Sequence, residues 1–242
     1  MTPRAGGDRD TVGPHLERTP VADSTPLIAL IHATPASVTP AGQAFTAEFA
    51  AARLWNLLDD RLISEAEQAG GLTAGLHQRM QNLIGYAVAG GADAVLLTCS
   101  MYGPVAYDVA STVSVPVLAS DQALFDEVAS RDPQRVAVLG PVQTGVDDTA
   151  ARLRSQLPGP QITGSVIAGA RSATSAGDLE ALDRAVCEAA QAVPDDVDLI
   201  VLGQFSVSPA QPAAQRAVTV PVLSPPHLAA QRLRRHFGGA GR

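Results

Sequence analysis

Cys99 is the side chain of this sequence with the most chemistry to offer. It stands just past the apolar run Ala94-Val95-Leu96-Leu97, between the hydroxyls of Thr98 and Ser100. A thiol titrates near pH 8.5, so it can carry a proton or release one, and the thiolate is a strong nucleophile. A constant offset of 105 residues superimposes this stretch on a second one. Asp93 to Ser100 lies over Asp198 to Phe205, and the register runs on without a gap to Val113–Leu118 over Val218–Leu223. Such a match means two copies of one supersecondary unit. In the second copy Gln204 holds the place of the cysteine, and a carboxamide exchanges no proton with a substrate at any useful pH. The duplicated unit therefore bears its thiol on one side only.

Other groups could complete a site around Cys99. His32 ends an apolar strand pattern and titrates near pH 6.5, which suits a second acid/base. Tyr102 and His227 are further candidates for that role. Backbone N–H groups at loop-to-helix junctions, with the hydroxyls of Thr34, Ser37, Thr98, Ser100, Thr144 and Ser206, could hold a carboxylate. The same donors would stabilise an enolate-like oxyanion. Gln204 and Phe205 would face the substrate, with Phe205 narrowing the pocket or stacking on an unsaturated ligand. Cys187 falls within the helical pattern from Leu179 to Glu188 and reads as structural. The doublets Asp59-Asp60, Asp147-Asp148 and Asp195-Asp196 read as caps and surface charge, because adjacent residues on a helix do not face one another.

The elements that must position these groups alternate between strand and helix patterns, as β-α-β units do. Strands are predicted at Leu27–His32, Ala94–Thr98, Val115–Leu118, Arg135–Leu139, Ile162–Ile167, Leu199–Gly203 and Val220–Leu223. Helices are predicted at 44–67, 73–90, 104–112, 121–130, 144–156, 176–193, 209–217 and 226–237. Continuous runs such as Val95-Leu96-Leu97 suit a parallel sheet covered on both faces. The expected architecture is α/β: two pseudo-symmetric lobes, 27–118 with Cys99 and 119–223 with Gln204, and a C-terminal helix over 224–242 packing back on the first lobe. Ligands of open parallel sheets bind beyond the carboxyl ends of strands. The loops after His32, Thr98, Leu139 and Gly203 would thus meet at one interlobe cleft.

The stretch Asp93-Ala94-Val95-Leu96-Leu97-Thr98-Cys99-Ser100, echoed by Asp198-Leu199-Ile200-Val201-Leu202-Gly203, resembles the cofactor-independent aspartate/glutamate racemase superfamily. That group includes glutamate, aspartate and hydantoin racemases, maleate isomerase and arylmalonate decarboxylase. The resemblance covers most of residues 27–237 and implies two flavodoxin-like lobes with the active site between them. Racemases of the family carry one cysteine per lobe, on either face of the substrate carbon; this sequence keeps Cys99 and departs at Gln204. The resemblance therefore implies a single-cysteine isomerase or lyase acting next to a carboxylate, through a carbanion or enolate or by thiol addition. Arylmalonate decarboxylase resembles the mirror case, with its cysteine on the second lobe. Also implied are a small carboxylate or related acyl substrate and a homodimer. Trp55-Asn56-Leu57-Leu58-Asp59 resembles a stretch of relatives too, and Asn56 could approach the cleft. The alternative is a non-catalytic carboxylate-binding or regulatory homologue; selective alkylation of Cys99, blocked by a carboxylate, would discriminate the two.

Composition excludes much else. The net charge of −7 argues against a nucleic-acid partner. All 17 basic residues are arginine, so no Schiff base to the protein can form, and no phosphate-loop lysine exists. No Gly-x-Gly-x-x-Gly fingerprint follows a strand, and the five histidines lack metal-ligand spacing. Neither cofactor nor metal is expected. No apolar run approaches the roughly 18–20 residues of a membrane span. Residues 1–26 read as a disordered leader without a secretory signal, and the chain as cytoplasmic. Two cysteines in unrelated contexts suggest no disulfide.

Overall fold

The computed structural model describes residues 25–238. The leader expected over 1–26 lies outside the described residues, save for Thr25 and Pro26. The first half runs β1 (Leu27–His32), α1 (Val38–Glu48), β2 (Arg53–Leu58), α2 (Leu62–Ala69), α3 (Ala74–Ala89), β3 (Ala94–Leu97), α4 (Gly103–Val109), β4 (Val117–Leu118) and α5 (Gln122–Arg131). The second half repeats the plan with β5 (Arg135–Gly140), α6 (Gln143–Gln156), β6 (Gln161–Val166), α7 (Ala170–Ala176), α8 (Leu179–Gln191), β7 (Leu199–Leu202), α9 (Gln211–Ala217), β8 (Val222–Leu223) and α10 (Pro225–Gly238). Short 3-10 turns precede α1, α4 and α9, at Pro35–Ser37, Ser100–Tyr102 and Phe205–Ala210.

Two four-stranded sheets result, ordered β2-β1-β3-β4 and β6-β5-β7-β8, and every strand pair in both is parallel. The aspartates that begin the repeated motif do the same job in each copy. Asp93 Oδ2 accepts the backbone N–H of Leu27 at 2.8 Å, and Asp198 Oδ2 accepts those of Gln134 and Arg135 at 2.7 and 2.8 Å. Each carboxylate thus satisfies donors at the start of the neighbouring strand, where the ladder supplies no partner.

Both faces of each sheet are covered. On β1, Ile28 to Ile31 are wholly buried; Ala29 and Ile31 join the core beneath α2, α3 and α4, while Ile28 and Leu30 join a core with α1 and α10. Each such aliphatic side chain contributes roughly 1.5–3 kcal/mol. The helices between the sheets are exchanged. α5, which follows β4 of the first sheet, buries Leu124, Phe125 and Val128 against Val136, Val138 and Val201 of the second. α10, which follows β8 of the second sheet, buries Ala229, Ala230 and Leu233 against the first. Phe237 stacks on Phe49 with ring centroids 6.3 Å apart, Arg234 donates to the Glu48 carbonyl at 2.9 Å, and Arg232 pairs with Asp126.

One expectation of the fold needs correction. The helix predicted over 44–67 is a helix, a strand and a helix, because Arg53-Leu-Trp-Asn-Leu-Leu58 forms the edge strand β2. Its leucines have helix-like spacing, but an edge strand pairs on one side only and needs no continuous apolar run. The helix predicted over 176–193 stands as α8, but the short helix α7 before it is unpredicted; Gly177 adopts φ +67° and ends α7, after which Asp178 caps α8 by accepting Ala181 N–H at 2.9 Å. At the end of α3, a Cβ on Gly90 would lie 2.4 and 2.7 Å from the Trp55 ring. Gly90→Ala is therefore expected to destabilise by about 1–3 kcal/mol through overpacking, seen as a lower thermal midpoint with unchanged secondary structure by circular dichroism.

Candidate active site

The carboxyl ends of the strands of both sheets converge on a cavity of about 370 Å³. The loop after β1 contributes Thr34 and Ser37, that after β3 Thr98, Cys99 and Ser100, that after β5 Thr144 and Gly145, and that after β7 Gln204, Phe205 and Ser206. Ser120 and Asp121, just past β4, and Asp148 on α6 complete the polar wall. Nine of the residues expected at the site from sequence are thereby brought together: Cys99, Thr34, Ser37, Thr98, Ser100, Thr144, Gln204, Phe205 and Ser206.

His32 and Tyr102 do not line this cavity. His32 is fully buried behind it. Its Nε2 lies 2.9 Å from Asn56 Oδ1 and must donate to that acceptor, which leaves Nδ1 as a lone pair. Thr98 Oγ1 at 2.9 Å and Ser37 Oγ at 3.0 Å meet that lone pair, and the two hydroxyls are 3.0 Å from each other. Burial holds the His32 pKa below its ordinary value despite the Asn56 bond, so the ring is neutral. It reaches the cavity only through Ser37 and Thr98. Asn56 reaches no further than His32, from β2 rather than from a helix. Tyr102 lies in the core of the first sheet, where its hydroxyl donates to the Leu62 carbonyl at 2.9 Å and burial pushes its pKa up to about 12. His227 lies instead on a separate groove with Pro40 and Pro212, beside Ser224 Oγ at 2.7 Å.

Cys99 is half-buried at the start of the 3-10 turn. Burial pushes its thiol pKa up, against a downward pull from the N–H groups of Met101 and Tyr102 and from the Arg152 guanidinium. The thiol therefore keeps its proton at neutral pH. Cys187 is also raised by burial, so thiolate content alone does not single out Cys99.

The sequence reading missed an ion-pair cluster. Asp121 is 3% exposed and pairs with Arg152, which also reaches Asp148 at 3.1 Å. Burial holds the Asp121 pKa above the usual carboxylate value, with Arg152 opposing. Asp147 and Asp148 are both exposed, in keeping with the reading as surface charge, but Asp148 also lines the cavity while Asp147 takes the Gln143 amide at 2.8 Å. The signal available was the position of Ser120-Asp121, immediately beyond a buried parallel strand. Arg152→Gln is expected to move the pH midpoint for Cys99 alkylation by iodoacetamide higher, and Asp148→Asn to move it lower, since these two charges pull the thiol in opposite directions. A stopped assay of labelled Cys99 across pH 7–11 reads both shifts.

Among the described residues no group of three or more His, Cys, Asp and Glu side chains is placed to hold a metal ion, and no helix is long and apolar enough to cross a membrane.

Several solved structures share this fold. Glutamate racemase from Thermus thermophilus, solved with β-chloro-D-alanine, is 16% identical with a TM-score of 0.64 over 90% of this chain and 82% of that one. An aspartate racemase homologue from Pyrococcus horikoshii OT3 is 16% identical with a TM-score of 0.66, over 89% of this chain and 100% of that one. Unliganded arylmalonate decarboxylase is 19% identical with a TM-score of 0.60, over 90% and 95%. No curated protein sequence matches the chain. The Asp/Glu/Hydantoin racemase family profile matches residues 41–233, a span that holds Cys99, Gln204 and most of the cavity wall, and the chain belongs to that family.

Proposed function

We propose that the protein is a one-thiol enzyme that acts at a carbon next to a carboxylate, with Cys99 as the proton donor to one face of a carbanion or enolate. The observation that carries this reading is the shared cavity: one thiol, hydroxyls from both lobes, and Gln204 where a second acid/base would stand. The substrate carboxylate binds on the side of Thr34, Ser37, Thr98 and Ser100, away from Asp121 and Asp148. There the neutral His32 accepts the proton of one hydroxyl of the Ser37–Thr98 pair and leaves the other, with Thr34 and Ser100, to donate. These donors, with the backbone N–H groups that open the 3-10 turn, stabilise the oxyanion as charge moves onto the carboxylate oxygens. The S–H bond of Cys99 breaks, its proton goes to carbon, and the thiolate is left facing the Met101 and Tyr102 N–H groups. A raised thiol pKa suits this direction, because the group must hold its proton until the carbanion forms.

Proton NMR in D₂O tests the reading over a panel of amino acids, hydantoins, malonates, maleate and 2-substituted carboxylic acids. The expected result is α-deuteration, CO₂ loss or alkene isomerisation in at least one compound, dependent on Cys99. Turnover that persists fully in Cys99→Ala would sink it.

A further inference from the structure

Gln204 transfers no proton, yet its carboxamide has a defined seat in the cavity wall. A Cβ built on Gly145 would lie 2.5 Å from Gln204 Nε2, 2.7 Å from Cδ and 2.9 Å from Oε1. The amide rests on bare backbone in the first turn of α6, in space that any other residue at 145 would claim. Its Oε1 is buried and meets no hydrogen-bond donor among the described residues. A buried carbonyl oxygen in that condition is costly unless a ligand donates to it. The same side of the cavity carries the acceptor oxygens of Asp121 and Asp148, both engaged by Arg152. The hydroxyls beside Cys99 can serve a carboxylate; this wall serves the opposite polarity.

We propose that Gln204 is a specificity-determining residue whose Oε1 accepts a hydrogen bond from an uncharged donor, of the amide N–H kind, on the carbon that bears the substrate carboxylate. Gly145 is its positioning residue. This assignment rests on the carboxylate reading of the cleft and adds the polarity of the second substituent. A neutral acceptor prefers a neutral N–H, because the carboxylates on this wall are already paired with Arg152 and leave the desolvation of a cation uncompensated.

N-acetylglycine and 4-oxopentanoate differ only in an N–H against a CH₂, so they isolate the donor. Their binding is measured by ligand-observed NMR titration to the wild-type protein, Gln204→Leu and Gly145→Ala. Wild type is expected to prefer N-acetylglycine about tenfold, the worth of one buried hydrogen bond. Gln204→Leu, of similar volume, is expected to bring the ratio to about one by weakening only N-acetylglycine. Gly145→Ala should do the same by displacing the amide, a far end of a flexible side chain that can move without unfolding α6; alanine is the better helix former. A new methyl that merely narrows the cavity would weaken both acids and leave their ratio unchanged. Equal binding of both acids to wild type, or a preference that survives in both variants, would overturn the role of Gln204 and leave the carboxylate reading standing. Binding of neither acid would overturn the carboxylate reading and this assignment with it.

Discussion

Cys99→Ala is expected to lower kcat by about 10²–10⁴-fold, the range for removing a positioned general acid, while Cys187→Ala leaves it unchanged. Alanine keeps the cavity and its hydroxyls but offers no proton, so substrate binding should change little and the loss should fall on turnover. Cys187 is half-buried on α8 and lines no part of the cavity. The pH dependence follows from the direction of the Cys99 shift. The donor form is the thiol, whose pKa lies above its ordinary value; kcat/KM should stay level through neutrality and fall only at a pH above that at which an ordinary thiol titrates. Full activity in Cys99→Ala, or an alkaline limb near pH 7, would contradict the assignment. Labelling gives a second readout. Because both thiols are raised, intrinsic reactivity does not separate them, and protection of Cys99 but not Cys187 by a bound carboxylate is the informative result.

His32→Leu is expected to destabilise the fold by roughly 1–3 kcal/mol and to weaken carboxylate binding. The substitution fills most of the volume but removes the ring nitrogen that the buried Ser37 and Thr98 hydroxyls meet, leaving them the Thr34 and Ile31 carbonyls, and it frees the exposed Asn56 amide to turn to water. Each hydrogen bond lost costs about 0.5–1.5 kcal/mol. His32→Gln can restore part of that bonding and should lose less. The sign of the pH effect is fixed by burial, which lowers the His32 pKa in the folded state. The unfolded chain takes up the proton near pH 6.5 and the folded one only at lower pH. The contribution of His32 is therefore whole above about pH 6.5 and is lost as pH falls toward the folded value. Chemical denaturation at pH 7.5 and 5.5 should show a smaller difference for His32→Gln than for wild type. It should not vanish, since His227 is lowered in the same way. Equal pH differences in both proteins would mean that His32 is not the titrating group.

The repeat at a constant offset made most of this architecture legible from residues alone. Ungapped recurrence from Asp93 to Leu118 fixes two strands, the turn between them and a helix, and then places all of them again from Asp198. What escaped was local. β2 is an edge strand whose residues are all half-buried or exposed, and its three leucines and Trp55 carry no β-branch to outweigh helical spacing. Asp121 is one acidic residue among 24 Asp and Glu, and nothing before folding says that it is buried beside Arg152 from another helix. Tyr102, three residues past Cys99, was drawn toward the site by proximity in sequence. The 3-10 turn at Ser100–Tyr102 rotates its side chain through to the core instead, away from Ser100 on the cavity side.

The exchange of α5 and α10 between the sheets sets the order in which this chain can fold. Each half closes one face of its sheet from its own contiguous stretch but not the other. Ile28 and Leu30 on β1 belong to the earliest described strand, but their apolar face is closed by Ala229, Ala230 and Leu233 of the last described helix. Closing it requires contacts between segments far apart in sequence, which is the slow class of folding event. Until α10 docks, that face stays open to mispairing or to chaperones. Because the same helix also places Leu228 in the core of the second sheet, its docking joins the two halves in one step, and the cleft between them forms at the moment folding ends.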